Sequence, residues 1–209
     1  MSHSPGRGSL LLLLLAFASV GCNRSGLPPV QEGDIIFQTS QSPQSEAVQK
    51  ATHSRYSHLG LVTYRDEKPY VFEAVDMVRA TPLPEWLANG EGGHYVVKRL
   101  VDAHDVLDTS ALIELKKAMR HFEGKHPYDR TFEWSDERMY CSELVWKVYE
   151  RALGIRLGEP QRMRDLDLSV PEVAQKLAER FGDRVPLDEP VVSPQRIFDS
   201  SRLETVAER

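Results

Sequence analysis

The segment from His58 to Val75 constrains the fold of this chain more than any other part of it. His58 to Tyr64 (HLGLVTY) and Tyr70 to Val75 (YVFEAV) are rich in β-branched and aromatic residues. They flank the charged Arg65-Asp66-Glu67-Lys68, a pattern that predicts a β-hairpin. A four-residue loop pairs Tyr64 with Pro69 and Gly60 with Glu73. Side chains alternate along a strand, so His58, Gly60 and Val62 share one face. Glu73 then falls on that face, diagonally across from His58 and within reach of it. Gly60, opposite Glu73, has no side chain to block the approach. An acid inside an apolar run is unusual, because a buried carboxylate needs a partner. A slip of one residue would part the two groups, and Glu73 would then belong to a solvated sheet face.

The remaining elements predict an α+β domain. Ile35-Ile36-Phe37, behind the Gly33-Asp34 turn, predicts a short buried strand, and Tyr95-Val96-Val97 with Leu100-Val101 predicts more strand. Ser42-Pro43 predicts a helix start, with serine as cap and proline at the first position. Ser110 to Phe122 carries Leu112, Leu115, Met119 and Phe122 at helical spacing. Cys141 to Leu153 carries Leu144, Val145, Val148 and Tyr149 on one face and Gly154 behind it. Pro171 to Phe181 predicts a third such helix. Helices before and after a strand cluster favour α+β over a doubly wound sheet. Only residues 32–209 show this patterning, and they predict one domain. The 41% hydrophobic and 27% charged content excludes wholesale disorder. A net charge of −5 argues against a nucleic-acid partner.

The N-terminus reads as an address. Leu10 to Val20 is an uninterrupted apolar stretch behind Arg7, with the charge order of a secretory signal and too little length to span a bilayer. Ser19-Val20-Gly21-Cys22 resembles a bacterial lipobox, which implies a signal peptide at 1–21 and a lipid on Cys22. Residues 22–31 then form the lipidated N-terminus and a polar, Pro/Gly-bearing tether. Asn23 after the cysteine resembles the outer-membrane sorting signal of enterobacterial lipoproteins. The expected location is the bacterial cell envelope, facing the periplasm, with membrane contact through the lipid. A plain cut near Ala16 to Ser19, leaving Cys22 as a free thiol, is the other reading. A lipid on Cys22 would leave Cys141 as the sole free thiol, a candidate for reactivity.

Cys141 stands where the polar Ser135 to Arg138 segment gives way to a helix. A helix N-terminus favours the anionic form of a thiol placed there. Leu144 and Val145 lie three and four residues on, so the thiol shares their inward face. A buried, inert cysteine is the other reading of that position. With His58 and Glu73 it makes a set suited to nucleophilic catalysis: thiolate, proton-carrying imidazole and orienting carboxylate.

Gly33-Asp34-Ile35-Ile36-Phe37-Gln38, Ala51-Thr52-His53-Ser54-Arg55-Tyr56-Ser57-His58-Leu59-Gly60, Val71-Phe72-Glu73-Ala74-Val75 and Tyr140-Cys141-Ser142-Glu143-Leu144-Val145-Trp146 occur in that order. Together with Val191-Val192-Ser193-Pro194-Gln195, they resemble the YiiX-like family of permuted papain-fold, NlpC-related cysteine hydrolases over about residues 32 to 205. The resemblance implies a circularly permuted papain-like fold, with a small antiparallel sheet or barrel and helices packed on it. It implies cleavage of an amide or ester through a thioacyl-enzyme, with Cys141 as nucleophile, His58 as base and Glu73 as orienting acid.

Three substrate or partner readings stay open. A peptidoglycan stem peptide fits an envelope location and the NlpC relatives. A lipid or acyl-amide substrate, for a hydrolase or acyltransferase, fits other permuted papain-fold families. A non-catalytic envelope binding protein is the third. Apolar surroundings of the thiol favour an acyl substrate, and an open charged groove favours a peptide. Gln38 or Tyr140 could join the Cys141 N–H in an oxyanion site. Tyr128-Asp129, Phe132 and Trp134 either line an acyl pocket or form a packed loop. His53, His94, His104, His121 and His126 lack zinc-type spacing, so no metal or cofactor is expected. The charged Gln161 to Asp167 reads as a solvated face.

Overall fold

The hairpin forms the middle of a six-stranded antiparallel sheet in a computed structural model that describes residues 27–209. The expected signal peptide at 1–21 and the lipid site at Cys22 lie outside the described residues. The chain runs through β1 (Ile35–Gln38), α1 (Ser45–Thr52), β2 (His58–Arg65), β3 (Lys68–Ala74), β4 (Val78–Pro82) and α2 (Leu83–Ala88). It continues through β5 (Val96–Leu100), α3 (Ala103–Val106), α4 (Thr109–Phe122), α5 (Cys141–Leu153) and β6 (Gln161–Arg162). α6 (Pro171–Phe181), β7 (Pro190–Val191), α7 (Pro194–Phe198) and β8 (Leu203–Glu208) complete it. The sheet order is β4-β3-β2-β1-β5-β8, and β6 with β7 forms a separate small ribbon.

Tyr64 pairs with Pro69 as the hydrophobic pattern requires, but the loop is tighter than four residues. Arg65 pairs with Lys68, and Asp66 and Glu67 alone make the turn, both at positive φ (47° and 62°). Two such residues give the turn whose twist matches that of the strands. At Gly60 only glycine fits. A Cβ there would meet Val71 Cγ1 at 2.3 Å and the Phe72 carbonyl oxygen at 2.9 Å.

Period-two alternation divides the sheet into two covered faces. Ile35, Phe37, Leu59, Leu61, Phe72, Ala74, Val96 and Leu100 pack beneath α4 and α5, against Leu115, Met119, Phe122, Leu144, Val145 and Val148. Ile36, Val62, Val71 and Val97 look the other way, toward Leu83 and Trp86 of α2. The α5 helix has the bounds its spacing predicts, and Gly154 closes it in the left-handed region (φ 65°). The hydroxyl of its Tyr149 donates to the Gly33 carbonyl and fixes the helix against the start of β1.

α1 starts at Ser45 rather than at Pro43. Ser42 to Gln44 is spent on a turn, in which the Ser45 N–H donates to the Ser42 carbonyl (3.0 Å) and the Ser42 N–H donates to Ser40 Oγ. The charged Gln161 to Asp167 stretch is not wholly solvated: Met163 is buried within it.

Candidate active site

Cys141 is the first residue of α5, so its N–H is among those that the helix leaves without an internal partner. Two hydrogen bonds hold this helix start. Ser142 Oγ donates to the Val192 carbonyl (2.7 Å), and the Val192 N–H donates to the Tyr140 hydroxyl (3.0 Å). The Tyr140 N–H also reaches Glu143 Oε2 at 3.4 Å. Glu143 is fully buried against Lys147 (2.7 Å), and burial outweighs that ammonium to push its carboxyl up to about 8.

His58 opens β2, and its ring turns to the face predicted for it. His58 Nε2 lies 2.5 Å from Glu73 Oε2. A carboxylate only accepts, so Nε2 carries the proton and Nδ1 is left for the thiol. The Cys141 thiol is close enough to the imidazole to act on its protonation. Burial works to lower the imidazole pKa, but the hydrogen bonds and charges of Cys141 and Glu73 outweigh it and raise it to about 10.

Glu73 is 2% exposed and has three donors. Besides His58, Thr81 Oγ1 donates to its Oε1 (2.5 Å) and Trp86 Nε1 donates to its Oε2 (2.9 Å). Burial favours the neutral acid, yet the hydrogen bonds and the nearby imidazole hold the carboxyl below its ordinary value. Trp86 also stacks on His58, with ring centres 6.0 Å apart. The indole therefore fixes the carboxylate and the imidazole together. Neither Thr81 nor Trp86 was marked by the sequence pattern. Alternation along Val78–Pro82 would have set Thr81 on Glu73's face, whereas Trp86 arrives from a helix with no local signal for that role.

Two recesses meet at this site. A narrow, almost wholly apolar cleft of about 90 Å³ runs from Cys141 between α1 and α6, lined by Ala47, Val48, Val173, Leu177 and Met163 among others. A wider polar groove of about 1030 Å³ begins at His58 and Glu73 and passes Gln38, Arg79 and Arg130. Tyr140, Tyr128 and Phe132 line the apolar cleft, and Tyr128 borders both recesses. Gln38 pairs with His58 across the sheet and lines the groove, its Oε1 buried without a hydrogen-bond partner. Asp129 is fully buried, accepting from the N–H groups of Thr131 and Glu133 and from the Thr131 hydroxyl. Trp134 packs edge-on against Trp146.

A helix-borne thiol against the end of an antiparallel sheet, with the histidine strand ahead of the cysteine helix, is the arrangement of a papain-like cysteine hydrolase in permuted chain order. The model of the permuted papain-like amidase enzymes, the YaeF/YiiX or C92 family, matches residues 29–207, and the chain belongs to this family. It is 54% identical over 177 residues to the uncharacterized protein YiiX of Escherichia coli K12, covering 85% of this chain and 86% of that protein. The crystal structure of YiiX from Escherichia coli O157:H7, described there as a metalloprotein, superposes with a TM-score of 0.82 at 53% identity. It covers 86% of this chain and 97% of that one. Among the described residues of this chain, no group of three or more His, Cys, Asp or Glu side chains is set to hold a metal ion.

Proposed function

We propose that this chain is a cell-envelope cysteine amidase that releases an apolar acyl group from an amide through a thioacyl-enzyme on Cys141. The observation that carries this reading is the apolar cleft that ends at the thiol. A fatty or similarly apolar acyl chain would bury its methylenes there, and the amine part would lie in the polar groove. In the first half-reaction His58 takes the thiol proton, the sulfur attacks the carbonyl carbon, and the imidazolium returns the proton to the departing amine. Water, deprotonated by the same imidazole, then cleaves the thioester. Glu73 holds the ring so that Nδ1 faces the sulfur. A lipid on Cys22 would keep the enzyme at a membrane, where acyl substrates are found. The polar groove, with Asp76, Arg79 and Arg130 on its walls, supports a second reading, a stem-peptide substrate.

A series of N-acyl p-nitroanilides separates the two. Each methylene that enters the cleft should raise kcat/KM by about fourfold, from about 0.8 kcal/mol per buried CH₂, until the cleft is filled. Leu177→Trp, which narrows the cleft, should remove that gain while leaving acetyl anilide hydrolysis unchanged. A rate that is flat with chain length, together with cleavage of muropeptides, would favour the peptide reading.

A further inference from the structure

The carbonyl of a bound acyl amide must sit where the acyl cleft and the polar groove meet, because its two substituents occupy one each. This placement rests on the reading above. Five residues border both recesses: Gln44, Ser57, Tyr128, Lys176 and Arg180. The Ser57 hydroxyl is engaged by Ser45 Oγ (2.5 Å) and by the Ser40 N–H (2.9 Å). Lys176 is paired with Glu179 at 2.7 Å. Tyr128, Gln44 and Arg180 form a chain of their own, drawn from the segment before α5, the cap of α1 and the end of α6.

Donor and acceptor chemistry fixes the direction of that chain. Arg180 Nη2 donates to Gln44 Oε1 at 2.6 Å. A guanidinium cannot accept, so the Gln44 amide oxygen must face Arg180 and its NH₂ must face Tyr128. Gln44 Nε2 accordingly donates to the Tyr128 hydroxyl oxygen at 2.5 Å. An NH₂ group does not accept, so the phenol accepts here and its own proton is left to donate elsewhere. The packing of Arg180 over the Phe132 ring, 5.2 Å from its centre, steadies the far end. Burial, and after it the charge at Cys141, raises the phenol pKa, so the proton is retained.

We infer that the Tyr128 hydroxyl is the side-chain oxyanion donor of this site, aimed by an Arg180–Gln44 relay. When the thiolate sulfur bonds to the carbonyl carbon, the C=O π pair moves to oxygen. That oxyanion takes hydrogen bonds from Tyr128 Oη–H and the Cys141 N–H. Its collapse restores the carbonyl and breaks the C–N bond, and the amine leaves with the His58 proton. Tyr128 is thus a catalytic residue, while Gln44 and Arg180 are positioning residues. Tyr140 borders the acyl cleft with its hydroxyl accepting from the Val192 N–H, and Gln38 borders the groove.

The test compares two reactions of Cys141. Hydrolysis of N-octanoyl p-nitroanilide passes through an oxyanion. Alkylation by iodoacetamide displaces iodide and forms none. Tyr128→Phe should lower kcat by about 10²- to 10³-fold, the range for loss of one oxyanion donor, with KM and the alkylation rate within threefold of wild type. Gln44→Glu presents a carboxylate oxygen that captures the phenol proton, so it should fall with Tyr128→Phe although Arg180 keeps its partner. Arg180→Met should lose activity and Arg180→Lys recover most of it. Unchanged thermal midpoints establish that the variants fold. Retained kcat in Tyr128→Phe, or alkylation falling in step with kcat, would overturn the assignment while leaving the amidase reading in place. A wild-type chain that neither hydrolyses the anilide nor is acylated by it would overturn both.

Discussion

Replacing Cys141 by alanine is expected to abolish anilide hydrolysis, and replacing His58 by alanine to cut kcat by about 10³- to 10⁴-fold. The geometry gives the reason. The thiol stands at a helix start and acts on an imidazole that is 8% exposed and has a carboxylate behind it. In the proposed mechanism the imidazole takes the thiol proton and returns it to the amine, and His58→Ala removes that group. The two residues act as a unit, so the double variant should be no slower than Cys141→Ala alone. His58→Ala should also slow iodoacetamide alkylation of the native protein at neutral pH, whereas denatured wild type and variant should react alike. Equal native rates would contradict an activated thiol.

Glu73→Gln is the second large effect, because the substitution keeps the shape and removes the charge that three donors converge on. The amide can present an NH₂ to His58 Nε2, which would drive the ring to the wrong tautomer. A loss in kcat of about 10²- to 10⁴-fold is expected, with little change in KM. The same variant reshapes stability against pH. The Glu73 carboxyl is held below its ordinary 4.5, so its contribution is present above that pH and is lost as pH falls through the lowered value. His58 is raised from 6.5 to about 10, so its contribution is complete below 6.5 and is lost as pH rises toward 10. Urea denaturation across this range should show wild type losing stability at both ends. Glu73→Gln should lack the acid limb and show a shallower alkaline one. Near pH 6 it should be less stable by about 1–3 kcal/mol, since it leaves buried donors poorly matched. An unaltered pH profile would mean that the buried pair is not coupled to folding.

The parts of this site that were legible in the sequence are those set by local rules. Alternation and a charged loop gave the hairpin register, and the register alone brings Glu73 across from His58. Helical spacing with a terminal glycine gave α5, with Cys141 at its first turn. What stayed hidden depends on contacts distant in sequence. Trp86 reaches Glu73 from α2, which covers the sheet face opposite α5. Gln44 does not cap α1 with its side chain, and Arg180, 136 residues on in α6, takes its amide oxygen instead. The apolar cleft arises because α1 and α6 pack together beside the thiol, with Met163 buried inside a run of charges that reads as solvated. β8 is missed for the opposite reason: LETVAE at the sheet edge has only Leu203 buried and carries little hydrophobic signal.

The central claim is that the acyl group passes through covalent attachment to Cys141. Its most direct test is intact-protein and peptide mass spectrometry after acid quench of a single-turnover mixture with p-nitrophenyl octanoate. The account predicts one octanoyl group on the peptide that contains Cys141, formed no slower than p-nitrophenol release, removed by hydroxylamine and absent from Cys141→Ala. Nitrophenol release at the full wild-type rate with no adduct on that peptide, and undiminished in Cys141→Ala, would contradict it.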